Sequence, residues 1–104
     1  MKSLEPLNEV LLEILTERVR QDKKWGVQNH RDGTGYAGSK EDADDARSQC
    51  DARFEMGQGT WKDILKEEVF EAFAEMNPAK LEEELIQVAA VATAWVEAIR
   101  RRKR

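Results

Sequence analysis

Apolar residues in this chain return every three or four positions in three separate stretches, and only an α-helix gathers that spacing onto one face. Leu7, Val10, Leu11, Ile14, Leu15 and Val19 make the first stripe. Trp61, Ile64, Leu65, Val69, Ala72, Phe73 and Met76 make the second, with Phe70 off the stripe. Leu81, Leu85, Val88, Ala92, Trp95, Val96 and Ile99 make the third. With 2 prolines in 104 residues and long runs of Ala, Glu, Leu, Lys and Arg, little in the chain favours strands. The pattern predicts a single all-α domain, residues 1–104, folded as a compact bundle of about four helices.

The punctuation between the stripes sets expected boundaries. The first helix is expected to start near Leu4 to Leu7 with Pro6 in its first turn, and to stop at Gly26, its stripe forming an ordinary core face. Trp25 then falls at the helix end, where its ring either caps the core or walls a pocket, and the core reading is slightly favoured. Residues 28–59 form a polar loop followed by a short cap helix over Lys40 to Met56. Ser39 is its expected N-cap, Glu41, Asp42, Asp44 and Asp45 lie in its early turns, and Ala43, Ala46, Cys50, Phe54 and Ala52 give it a thin apolar face. Thr60 with Asp63 forms an approximate capping box for the next helix, and Pro78 opens the last at its N1 position. That last helix is apolar beyond its stripe, at Val91, Ala94 and Ala98, which predicts a second partner surface: a homodimer or homotetramer formed through the last two helices.

The second and third stripes are unusual in the company they keep. Glu68 falls inside the margin of its apolar arc with Glu71 and Glu75 beside it, and Glu84 and Gln87 flank the last helix at an i, i+3 spacing. Carboxylates at the edge of a buried face carry a desolvation cost, and a divalent cation offsets several of them at once.

Composition narrows the alternatives. Five of the 17 basic residues lie in the tail Arg100–Arg104, leaving 12 basic against 21 acidic residues elsewhere, a body at −9. An acidic body argues against nucleic acid as the partner, and the basic tail complements a helix C-terminus. Cys50 is the only cysteine, which excludes an intramolecular disulfide and suits a small, partly buried helix residue better than a nucleophile. His30 has no second His or Cys at ligand spacing, and Asp32-Gly33-Thr34-Gly35 lacks the Gly-Lys-Ser/Thr ending of a phosphate loop. The N-terminus shows no apolar leader and no stretch approaches a membrane span, so a soluble cytoplasmic protein without membrane contact is expected.

The run Glu67-Glu68-Val69-Phe70-Glu71, followed on the next helix by Glu84-Leu85-Ile86-Gln87, resembles the E-E-x-x-E … E-x-x-D motif of the MazG-like all-α nucleoside triphosphate pyrophosphohydrolases. The likeness extends to Glu17-Arg18-Val19-Arg20-Gln21 with Trp25-Gly26, to Thr60-Trp61-Lys62-Asp63-Ile64-Leu65, and to Gln87-Val88-Ala89-Ala90-Val91 with Trp95, in the manner of the short MazG-related proteins of phages and bacteria. The resemblance implies Mg²⁺-dependent hydrolysis, with Mn²⁺ as a substitute, of a (deoxy)nucleoside triphosphate to its monophosphate and pyrophosphate. Glu68, Glu71 and Glu84 would hold the metal, Gln87 would take the last ligand position, and Glu67 would join Glu68 and Glu71 as the catalytic acids. Gln21, Lys24, Trp25, Gln28 and Asn29 would meet the substrate, with Arg47 and Arg53 as further cations for phosphate. The chain departs from the motif at Gln87, where an Asp is expected. A neutral amide oxygen is a weaker ligand, which either lowers Mg²⁺ affinity or shifts Gln87 to holding a water or phosphate. The alternative is a non-catalytic helical nucleotide-binding or interaction module of the same fold.

Overall fold

The structure, a computed structural model, describes residues 3–102, so Lys103 and Arg104 of the basic tail lie outside the described residues. It is all-α, with four helices: α1 Glu5–Trp25, α2 Ser39–Glu55, α3 Trp61–Ala74 and α4 Pro78–Arg102. Among the described residues there is no strand, and no helix is long and apolar enough to cross a membrane. The chain divides into two compact units, one made of the N-terminal segment through Arg31 with the chain from Thr93 onward, the other of Asp32–Ala92.

In the first unit, α1 carries Pro6 in its first turn, where the missing N–H costs nothing, and stops at Gly26, whose φ of 69° is open to glycine. The Gly26 N–H donates to Asp22 O at 2.8 Å, closing the last turn. Val10 is buried at 3% exposure, and Glu13 pairs with Arg100. The expected core face is otherwise not a core: Leu11, Ile14, Leu15 and Val19 are 43–59% exposed. Periodicity fixes which residues share a face but not whether anything covers it, and among the described residues the only other helix in this unit is the end of α4 from Thr93. Trp25, too, is no core residue. It is 63% exposed, with the Lys24 ammonium 4.9 Å from its ring centroid.

In the second unit, α2 packs on α3 through small side chains. Ala43, Ala46 and Cys50 are buried along one face of α2, Ala72 is buried on α3 and Leu81 on α4, whereas Phe54 and Ala52 of the expected α2 face stay exposed. The N-cap of α2 is Gly38 rather than Ser39. Gly38 takes a left-handed φ of 86° and its carbonyl accepts from Asp42 N, while Ser39 is already helical and buried, its N–H donating to Tyr36 O. The expected capping box of α3 is present: Asp63 N donates to Thr60 Oγ1 at 3.2 Å and Thr60 N to Asp63 Oδ2 at 3.0 Å. Arg53 at the end of α2 donates from Nε to the same Asp63 Oδ2 at 2.8 Å, so one carboxylate joins the end of α2 to the start of α3. Gly59 lies in the link between them against the Phe54 ring, where an added Cβ would come within 2.3 Å of Cγ.

Candidate metal centre

The turn between α3 and α4 is what brings acidic groups together. Glu75 Oε1 accepts from Asn77 N at 3.0 Å, and Asn77 Oδ1 accepts from Ala79 N at 2.9 Å and Lys80 N at 3.3 Å, pairing the amides that open α4. With Pro78 setting the first helical φ, the chain turns within Glu75–Asn77 so that Glu84 in the second turn of α4 comes to the carboxylates of α3.

Glu68 and Glu71, one turn apart on α3, thereby meet Glu84 on α4. One carboxylate oxygen from each lies within 4.8 Å of the others, and all three residues are partly buried. Their charges are not independent. Burial, and then Glu71, Glu84 and Glu67, push the Glu68 carboxyl above its ordinary value, with Arg47 opposing. Burial, and then Glu71, Glu75 and Glu83, push Glu84 upward too, again opposed by Arg47. Both shifts come first from partial burial and then from neighbouring carboxylates that Arg47 only partly offsets.

The cation that faces this cluster comes from α2. Arg47 Nη2 donates to Glu71 Oε1 at 2.6 Å, and its Nε lies 3.6 Å from Glu67 Oε1. The contact to Glu71, with the charges of Glu71, Glu67 and Asp44, holds the Arg47 guanidinium above its usual range. Glu67 points its chemistry toward α2 as well: burial first, then a hydrogen bond to Glu67, raise the Cys50 thiol to about 11. The expected acids thus divide. Glu68, Glu71 and Glu84 converge, whereas Glu67 is engaged with Arg47 and Cys50. Gln87, one turn along α4 from Glu84, is solvent-exposed. Arg53 is committed to Asp63 and to the carbonyl of Gln58.

The expected substrate residues lie in the other unit and are all exposed. Gln21 Oε1 accepts from Arg18 Nη1 at 2.9 Å, Lys24 stands over Trp25, Gln28 Oε1 lies 3.0 Å from His30 Nε2, and Asn29 is exposed in the segment that follows α1.

Three carboxylates with hard oxygen donors, partly desolvated and in mutual repulsion, could hold a hard divalent cation and do not suit a soft, thiolate-preferring ion. Comparison of the chain with protein-family models, with curated proteins and with solved structures finds no match.

Proposed function

We propose that this protein is a cytoplasmic, Mg²⁺-dependent nucleoside triphosphate pyrophosphohydrolase, acting on a (deoxy)nucleoside triphosphate and assembling as a homodimer or homotetramer. The observation that carries the reading is the meeting of Glu68, Glu71 and Glu84 within 4.8 Å, from the two helices on which the motif resemblance lies. Glu68, Glu71 and Glu84 hold the cation, with Gln87 at the fourth motif position. The bound ion would neutralise phosphate charge and lower the pKa of a water. Water adds at the α-phosphorus, the bond from that phosphorus to the α–β bridging oxygen breaks, the oxygen leaves with pyrophosphate, and the proton lost by the water passes to solvent, giving monophosphate and pyrophosphate. On this reading Glu67 orients groups at the cluster, and it is the motif resemblance that nominates Gln21, Lys24, Trp25, Gln28 and Asn29 for the nucleotide. Association through the last helices is supported by Leu85 and Ile86 of α4, which are 50% and 65% exposed.

A second reading, a nucleotide-binding or interaction module without catalysis, draws its support from Gln87, which is neutral and solvent-exposed. Pyrophosphate release from a panel of (d)NTPs with Mg²⁺ or Mn²⁺ tests the first, and Glu68→Gln and Glu71→Gln are each expected to abolish it. No turnover of any nucleotide refutes the enzyme. Gln87→Asp separates the readings: activity appearing from nothing identifies a lapsed site, and loss of existing activity identifies Gln87 as a working ligand.

A further inference from the structure

Arg47 is the one side chain that touches the carboxylate cluster with positive charge from α2, and its place follows from the helix register. Ala43, Ala46 and Cys50 bury one face of α2, and position 47 lies four residues after Ala43 and three before Cys50, at the border of that face. A long side chain there runs along the α2–α3 contact, and its guanidinium emerges beside Glu67 and Glu71, still 58% exposed. Its partner Glu71 is also a member of the Glu68–Glu71–Glu84 trio. The same carboxylate therefore serves a fixed cation and a candidate site for a mobile one.

We propose that Arg47 and a divalent cation compete for Glu71, and that the guanidinium released from Glu71 is the group that engages the phosphates of the ligand. This rests on the metal-site reading of the trio. A cation bound by Glu71 adds positive charge next to the guanidinium and draws the shared carboxylate away from it, so the Arg47–Glu71 pair and the ion oppose each other. A triphosphate reverses the balance, because its own oxygens offer Arg47 a partner that is more highly charged than a single carboxylate and accepts in the same forked geometry. Arg47 thus lowers affinity for the free ion and raises it for the ion together with polyphosphate, which favours loading the two as one unit.

The test uses the full-length protein stripped with EDTA, Mn²⁺ counted by electron paramagnetic resonance, and inorganic tripolyphosphate as the anion. Arg47→Gln is expected to bind Mn²⁺ alone about tenfold more tightly than wild type and to bind tripolyphosphate in the presence of Mn²⁺ about tenfold more weakly. Arg47→Lys keeps the charge and is expected to hold Mn²⁺ as wild type does, which separates charge competition from damage to packing. The proposal needs both opposite signs. If Arg47→Gln leaves Mn²⁺ affinity unchanged or weaker, or leaves tripolyphosphate affinity unchanged, it is overturned. Wild type that binds Mn²⁺ in a manner lost in Glu84→Gln, together with an indifferent Arg47→Gln, overturns this proposal alone. Wild type that binds no Mn²⁺ overturns the metal reading and this proposal together.

Discussion

Glu84→Gln puts the electrostatics of the cluster to a direct test, because it removes one charge and almost no volume. Glu84 faces Glu68 and Glu71 with oxygens no more than 4.8 Å apart. Two unit charges at that separation repel by about 0.9 kcal/mol at the dielectric constant of water, and screening at physiological salt roughly halves it. Two such pairs give about 1 kcal/mol of repulsion relieved by the substitution, a figure that Arg47 beside Glu71 trims and partial burial enlarges. For a domain of this size that corresponds to a melting temperature higher by about 5 °C. The assay is thermal unfolding followed by circular dichroism at pH 7 in EDTA, repeated with Mg²⁺. In EDTA the variant should melt above wild type. At ten times its dissociation constant Mg²⁺ should add about 1.4 kcal/mol to wild type and raise it past the variant, which should respond little. A variant that melts at or below wild type in EDTA, or wild type that is indifferent to Mg²⁺, refutes the reasoning, since the three carboxylates would then behave as ordinary solvated charges.

Other expectations follow from the second unit. Asp63→Asn should lower the melting temperature at pH 7: Thr60 first, then Arg53, hold the Asp63 carboxyl below its ordinary value. A depressed folded-state pKa stabilises fully above the unfolded value of about 3.9 and is lost as pH falls through the folded one, so the gap between variant and wild type should close below about pH 4. Leu81→Ala, at a position 7% exposed, should cost about 2–4 kcal/mol, read as a lower urea midpoint at unchanged m. Cys50, buried and with its thiol raised to about 11, should react with a thiol-specific disulfide reagent at pH 8 far more slowly than a free cysteine, and at the free rate once urea has unfolded the chain. Gly35→Ala should destabilise, because φ is +73° there and the new Cβ would come within 2.3 Å of Met76 Cγ; a melting curve superposable on wild type would contradict the packing.

Much of the fold could be read from residue spacing, because helices and their ends are written locally. The stop at Gly26, the start at Pro78 and the Thr60–Asp63 box depend on residues a turn apart, and each is where its chemistry predicts. Ser39 was displaced by its neighbour because two adjacent good caps compete, and Gly38 takes without strain the left-handed φ with which the chain enters α2. The stripe of α1 could be read as amphipathic but not as exposed, since periodicity says nothing about what lies opposite. At the candidate site, Glu68, Glu71 and Glu84 could be grouped from their spacing on two helices joined by a short turn. Glu67, which falls off that arc, could be set apart from the metal ligands, but neither its partner nor the pairing of Arg47 with Glu71 could be assigned, because both depend on the rotation of α2 against α3. That register is fixed by three small buried residues, Ala43, Ala46 and Cys50, whose size permits close approach without announcing its direction.

The oxygen of Asp63 that receives Thr60 N, Thr60 Oγ1 and Arg53 Nε has a consequence for how the sequence can drift. Three donors on one acceptor make positions 53, 60 and 63 a single inherited character: a lineage that replaces one should replace all three or lengthen the link between them. Position 58 is under no such constraint, since Arg53 takes only its main-chain carbonyl, and any residue provides that.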